Sequence, residues 1–381
     1  MNLQYEPSHT ILRETAERFL SEKYGYRTFC AIADSETGFS AEMWSQFAEM
    51  GWLALPFSED DGGLGGGAVE VAILMEAFGK SLVIEPYVAS IILGGGLVAA
   101  LGDAAQRAEF IPALAEGRAH LAFAHDDRAT TRASRQGKGY ALSGAKAAVL
   151  GAQAAQTLLV SATLPGGGTG IFALPRDTKG LTIRPYRTVD GGRAADVDIA
   201  DAAVPASALL GNNEKAQDAV AAVLDRAVAA ICADAVGAIA TMVAQTVDYA
   251  KTRVQFGQPI AKFQVLAHRM VDMKVREEEA RASCLLATLS LDGATPQARV
   301  RAVSGAKAKI GRNGRFVAQQ AIQTHGAIGT TQELPLGAYA KRVMAFEMLF
   351  GSTREHLRRY GALIADPALA SAGLLLEPAG A

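Results

Sequence analysis

Arg253-Val254-Gln255-Phe256-Gly257-Gln258-Pro259-Ile260, followed by Phe263-Gln264, His268 and Asp272-Met273, is the stretch that decides the fold of this chain. Arg253 carries a planar fork of donors suited to a pyrophosphate, and Phe256 a flat apolar face suited to an adenine or a ring edge. Gly257 lets the backbone pass close to a ligand. A second pattern lies downstream, Gln323-Thr324-His325-Gly326-Ala327-Ile328-Gly329 and then Glu333-Leu334-Pro335. A lone Arg-x-x-Phe-Gly would read as a helix end with an exposed arginine. The two patterns together are far more specific than either alone.

Outward from these motifs, composition sets the bounds. The chain has 381 residues, half of them apolar, enough for a sizeable core and too long for one, so two or three domains are expected. The net charge of −2 provides no basic field, and nucleic acid is not expected as a partner. Cys30, Cys232 and Cys284 lie far apart without a Cys-x-x-Cys spacing and read as reduced thiols of a cytoplasmic protein. The start, Met1-Asn2-Leu3-Gln4-Tyr5-Glu6, has neither a basic nor an apolar signal region. The longest uncharged run, Tyr87 to Leu101, is too short for a membrane span and is interrupted by Gly94-Gly95-Gly96. The six histidines form no His-x-x-x-His or His/Cys cluster, so no metal site is expected.

Periodicity divides the chain in three. Residues 1–117 read as helices: Ile11, Leu12, Ala16, Phe19 and Leu20 form an apolar stripe that Ser8 is placed to cap, and Ala41 to Met50 is a second amphipathic segment. The acidic, glycine-rich run Ser58 to Gly67 reads as a loop between helices, because a dinucleotide fingerprint needs a strand before it. Residues 118–212 carry short apolar segments, Leu121 to Ala124, Tyr140 to Leu142, Thr157 to Val160, Gly170 to Leu174, Leu181 to Arg184 and Val197 to Ile199. Their turn signals predict a small antiparallel sandwich or barrel, with Pro165 to Gly170 as a hairpin loop. Residues 213–381 are helical again. Val220, Leu224, Ile231, Ala235, Ile239, Met242 and Val243 mark one long face, and further helical patterns run through Lys262 to Leu291, Gln297 to Thr324 and Leu336 to Leu363. The Ala- and Gly-rich tail after Asp366 is expected to be loosely ordered. The class is α+β: an N-terminal helical domain, a middle antiparallel β domain and a C-terminal helical bundle.

The two quoted motifs resemble signatures of the acyl-CoA dehydrogenase family of flavoproteins, in the order and separation that family shows. The resemblance covers nearly the whole chain and is strongest over its last ~160 residues, and the family's fold has the same helix–strand–helix order. It implies FAD as cofactor, an acyl-CoA thioester as substrate, an electron-transfer flavoprotein as electron acceptor, and a homo- or hetero-oligomer with a related subunit. The chain is most similar to the small-subunit type of bacterial two-subunit dehydrogenases for pimeloyl-CoA, steroid-side-chain or other bulky thioesters.

The same resemblance implies flavin contacts at Arg253, Phe256, Gln323, Gly326, Thr353 and His125. Arg253 and Phe256 would reach an FAD held mainly by a neighbouring subunit. There are departures. Ala327 stands where the family usually has a second glycine. In the middle domain, Ala124-His125-Asp126-Asp127-Arg128-Ala129 replaces a Thr-Glu-Pro-Gly-like turn, so His125 either hydrogen-bonds the flavin or faces solvent. Ala148 and Leu150, within Lys146 to Gly151, replace an aromatic residue and a threonine.

Dehydrogenation needs a base for the α-proton while the β-hydrogen leaves as hydride. The usual glutamate falls on Gly351, within Leu349-Phe350-Gly351-Ser352-Thr353; a second placement in some members falls on Ala227-Val228. Neither is acidic, so the catalytic residue is unassigned. Glu347, one helical turn before Gly351, and Asp225 are the acidic groups left nearby, and Glu347 reads more readily as a solvated or salt-bridged helix residue than as a base. The function expected is FAD-dependent α,β-dehydrogenation of an acyl-CoA as one subunit of a pair. The rivals are a self-sufficient homo-oligomer, a flavin oxygenase or oxidase on the same fold, and a non-catalytic partner subunit.

Overall fold

The computed structural model describes residues 6–211 and 216–364; the tail after Asp366 lies outside them. Helices run from Pro7 to Ala115, strands from Leu121 to Pro205, and helices again from Ala216 to Ile364. Cα packing groups the chain into two units: Met1–Tyr26 with Ala72–Leu82 and Val228–Ala381, and Arg27–Val71 with Val83–Ala227.

The first helix, α1 (Pro7–Lys23), starts two residues earlier than Ser8 would allow as a cap. Glu6 is the N-cap and Pro7, whose missing N–H costs nothing there, is the first helical residue. In α3 (Ala41–Glu49) Ser40 is the cap and accepts from the Met43 N–H. The glycine-rich run after it is a closed loop. The N–H groups of Gly63, Gly65 and Gly66 donate to Ser58 O, Phe57 O and Leu55 O, each at 2.8 Å, so they are spent within the loop rather than offered to a phosphate. The run from Tyr87 to Leu101 is continuous helix, π-helical over Val88–Gly95 and α-helical over Gly96–Leu101, despite its three glycines.

The strands β1 (Leu121–Ala124), β2 (Asp127–Gln136), β3 (Gly139–Leu150), β4 (Thr157–Thr163), β5 (Thr169–Pro175), β6 (Leu181–Arg187) and β7 (Arg193–Pro205) form one sheet in the order β1-β4-β2-β3-β7-β6, with β5 also on β4. The sheet is mixed, not purely antiparallel as the periodicity suggested. β1 pairs with β4 in parallel, from Leu121↔Thr157 to Ala124↔Val160, because the β2–β3 hairpin intervenes in sequence and brings the chain back in the same direction. β1 is buried throughout, and β4 from Leu158 to Ala162, as strands covered on both faces are. β2 is polar and largely exposed, which is why no apolar segment announced it.

The long helix α7 (Ala216–Thr252) buries Val220, Ile231, Ala235, Ile239, Met242 and Val243, with Leu224 half-buried. By length and composition α7 is the one helix among the described residues able to cross a bilayer; most of its apolar window is buried in the protein, as in the core helix of a bundle. The first unit also holds most of α4 (Ala68–Ser81), α8 (Gln264–Leu289), α9 (Pro296–His325), α10 (Leu336–Met348) and α11 (Thr353–Ile364). Arg342 on α10 forks onto the Asp234 carboxylate of α7 with two contacts of 2.8 Å, and Arg281 on α8 onto Glu76 of α4 with two of 2.9 Å. The single helical pattern from Leu336 to Leu363 is broken at Leu349–Ser352 into α10 and α11, and Gly351 sits in that break.

Candidate active site

Three clusters hold the residues singled out by sequence. The first joins the two quoted motifs. α7 ends at Thr252, and Val254–Gln255 and Gln258–Pro259 form a minimal hairpin. Its corner residues are Phe256 and Gly257, at φ +53° and +79°. Two positive φ values match a two-residue hairpin turn, and Gly at the second is the usual solution. The turn holds the Phe256 ring out, 92% exposed, edge-on to Phe263 at 6.1 Å. Arg253 is exposed beside it. One turn back on α7, Tyr249 stacks on His325 of the second motif, ring centroids 4.3 Å apart. His325 is buried, and its Nδ1 donates to Ala321 O at 2.9 Å. It is a packing residue that brings Gln323 and Gly326, both exposed, onto the same unit as the Arg253 hairpin. Gly326 ends α9 at φ +68°, ψ −145°, a conformation open essentially to glycine alone, and nothing lies within 4 Å of where its Cβ would be. Ala327 is exposed in the following 3₁₀ turn.

This cluster has the chemistry of a dinucleotide contact: a free-standing guanidinium, an uncovered aromatic face, an amide, and backbone left bare at glycines. The residues present fit one face of FAD.

The second cluster is the break around Gly351. Gly351 has φ +100°, and Phe350 before it φ +54°. Lys307, wholly buried on α9, donates to Phe346 O and Gly351 O, both at 2.8 Å, and its ammonium lies 4.3 Å from the centre of the Phe346 ring. Burial pulls the Lys307 amine below its ordinary range. His356 is buried on α11 with Nε2 donating to Phe350 O at 2.9 Å. Its ring stands where a side chain at 351 would start: a Cβ on Gly351 would lie 3.2 Å from His356 Nε2. Glu347 is engaged elsewhere. Its carboxylate accepts from Thr353 N at 2.9 Å and Thr353 Oγ1 at 2.7 Å, holding the first turn of α11. The Thr353 hydroxyl proton is thereby spent. Asp225 is fully buried, as are Ala227 and Val228. Gly351, Ala227 and Val228 thus carry no carboxylate, that of Glu347 is held by Thr353, and that of Asp225 is buried.

The third cluster lies in the sheet. His125, at the end of β1, stacks on Phe123 at 5.0 Å and is held through Nδ1 to Ser161 Oγ at 3.1 Å. Lys146, 1% exposed, reaches His125 O at 3.0 Å, Asp127 Oδ1 at 2.7 Å and Ser161 Oγ at 3.0 Å. Burial pulls Lys146 and His125 below their ordinary pKa values, while the Lys146 ammonium outweighs the effect of burial on Asp127 and holds it below its own. Ala148 sits at φ +51° in a bulge of β3 and offers only a methyl group, exposed.

Sequence reasoning missed Lys307, His356, Ser161 and the roles of Lys146 and Asp127. Signals existed: Lys307 falls on the apolar stripe Val303–Ile310–Gly314, and Ser161 interrupts an otherwise apolar buried strand.

Two family models match the chain on either side of the sheet. The sequence model described as "Acyl-CoA dehydrogenase, N-terminal domain" matches residues 6–118, and that described as "Acyl-CoA dehydrogenase, C-terminal domain" matches 218–362. The chain belongs to the acyl-CoA dehydrogenase family. The two matches flank the strand-rich middle. Among relatives, the "Probable acyl-CoA dehydrogenase YngJ" of Bacillus subtilis is 30% identical, the alignment covering 87% of this chain and 91% of that one. Among solved structures, a variant of the steroid enzyme Tcur3481-Tcur3483 superposes with a TM-score of 0.86 at 26% identity, covering 95% of this chain and 98% of that one. The ChsE4-ChsE5 complex from Mycobacterium tuberculosis superposes with 0.89 at 22% identity, covering 96% and 99%, a likeness of fold. As a family member this acyl-CoA dehydrogenase is an FAD-dependent oxidoreductase acting on acyl-CoA thioesters.

Proposed function

We propose that this acyl-CoA dehydrogenase works as one subunit of a pair, in the cytoplasm, and that its partner, a related chain, supplies the proton acceptor. The observation that carries this is the Gly351 break. The family's base position falls on a glycine at φ +100°, its carbonyl is tied to Lys307, and a Cβ there would crowd the His356 ring at 3.2 Å. Glu347, the nearest carboxylate in sequence, is committed to Thr353. Two of the solved structures similar in fold carry paired names, Tcur3481-Tcur3483 and the ChsE4-ChsE5 complex.

In this reading Arg253 and Phe256 clasp the pyrophosphate and adenine of an FAD across the subunit interface, Gln323 and the bare backbone at Gly326 extend that contact, His125 serves the flavin as a donor, and Thr353, whose donors are held by Glu347, serves it only through the lone pairs of its hydroxyl. Bound FAD supplies the hydride acceptor, and an electron-transfer flavoprotein then takes the electrons. The chain's own part is to bind and to orient.

The test is anaerobic flavin reduction by a panel of bulky acyl-CoA thioesters, with the chain alone and with a co-expressed homologue that keeps its glutamate. Bleaching only in the paired preparation supports the proposal. Rapid bleaching by the lone chain defeats it, and Glu347→Gln and Asp225→Asn become the variants to compare.

A further inference from the structure

The His125–Ser161–Lys146–Asp127 chain sets the protonation state of one imidazole, and so decides what that imidazole can do. Lys146 has three N–H donors and three acceptors, His125 O, Asp127 Oδ1 and Ser161 Oγ, at 2.7–3.0 Å. A fully satisfied buried ammonium of this kind stays charged. It donates to Ser161 Oγ, which leaves the serine hydroxyl proton for another acceptor. The nearest is His125 Nδ1, at 3.1 Å; the backbone oxygens of Ala124 and His125 are both at 3.4 Å. Nδ1 therefore accepts, and the proton of the neutral ring sits on Nε2. Burial disfavours the imidazolium and, with the Lys146 ammonium, outweighs the opposing pull of the Asp126 and Asp127 carboxylates, so the ring is held below its ordinary pKa and favours the neutral form. Phe123 fixes the ring plane from one side.

We infer that His125 is a flavin-facing hydrogen-bond donor, presented through Nε2–H and barred from acting as a base, and that Ser161, Lys146 and Asp127 are the positioning residues that impose this tautomer. The geometry explains why two buried polar groups, Ser161 and Lys146, with Asp127 at the surface beyond them, converge on one half-exposed ring at a strand end. An Nε2–H donor directed at a ring carbonyl or nitrogen of FAD stabilises the electron-rich reduced form over the oxidised one. The base still has to come from elsewhere, in agreement with the paired arrangement. This inference rests on FAD as the cofactor.

Two measurements separate its parts. The first is long-range ¹H–¹⁵N correlation on the ¹⁵N-histidine-labelled full chain without flavin, His125 being assigned by its absence in His125→Asn. The expected spectrum is the neutral Nε2–H tautomer at pH 7, lost or mixed in Ser161→Ala. An Nδ1–H tautomer in the wild type overturns the relay. The second is the flavin midpoint potential of the holoprotein. His125→Gln keeps a donor near the Nε2 position and should hold the potential. His125→Asn, whose amide reaches only the Nδ1 position, should lower it. Equal potentials in wild type and His125→Asn overturn the flavin contact even if the tautomer is as stated. A chain that takes up no FAD under any condition refutes the cofactor assignment, while the tautomer measurement still stands on its own.

Discussion

Lys307 and Gly351 are joined by a hydrogen bond of 2.8 Å from the buried ammonium to the glycine carbonyl, across 44 residues of sequence. With the Phe346 carbonyl held by the same Nζ, this bond pins the break between α10 and α11. In the proposed function this break is where the base would stand, and residue 351 offers no side chain there.

Gly351→Glu is therefore expected to fail as a simple repair. The φ of +100° disfavours any residue with a Cβ, and the new Cβ meets His356 at 3.2 Å. A cost of about 1–3 kcal/mol in stability is expected from the backbone alone. Thermal unfolding should show the loss, and anaerobic acyl-CoA should leave the flavin of the lone variant unbleached. Recovery of turnover at wild-type stability would contradict the account of this loop.

Arg253→Ala should weaken FAD retention. Loss of a charge-assisted pyrophosphate contact is worth roughly 1.5–3 kcal/mol, or about 10- to 150-fold in affinity. Flavin absorbance per chain after gel filtration reads this directly, and unchanged occupancy would remove Arg253 from the cofactor site.

Asp234→Ala removes from the half-buried Arg342 guanidinium the buried carboxylate that it forks at 2.8 and 2.8 Å. Breaking such a pair from one side typically costs about 3–5 kcal/mol. Urea unfolding should show a lower midpoint, and Arg342→Met in the same background should recover part of the difference because no lone charge remains.

Acid sensitivity should trace in part to His120. The ring lies between Trp44, at 4.8 Å, and Phe39, at 5.1 Å, and burial lowers its pKa from 6.5 to about 4. The folded state thus binds the proton less readily than the unfolded chain. Its contribution is fully present above pH 6.5 and is lost as pH falls towards 4, amounting to about 2 kcal/mol at pH 5. Stability measured at pH 7.5 and 5 should show the drop, and His120→Phe should lessen it while keeping the ring packing. An identical drop in that variant would assign the sensitivity to other groups.

What was legible in the sequence was local. The 3.6-residue stripe of α7, the amphipathic segment that forms α3, and the strand segments with their turns each depend on residues a few positions apart, so their order and type followed from pattern. The two motifs also sufficed to recognise the family. The tertiary structure alone decided how distant residues meet: Tyr249 on His325 across 76 residues, Lys307 on Gly351 across 44, Lys146 on Ser161 across 15. It also decided the parallel pairing of β1 with β4, the positive φ at Gly351, and the diversion of Glu347 to Thr353. A buried ammonium or imidazole is tolerable only where its partners converge, and convergence from separate elements leaves no period in the chain.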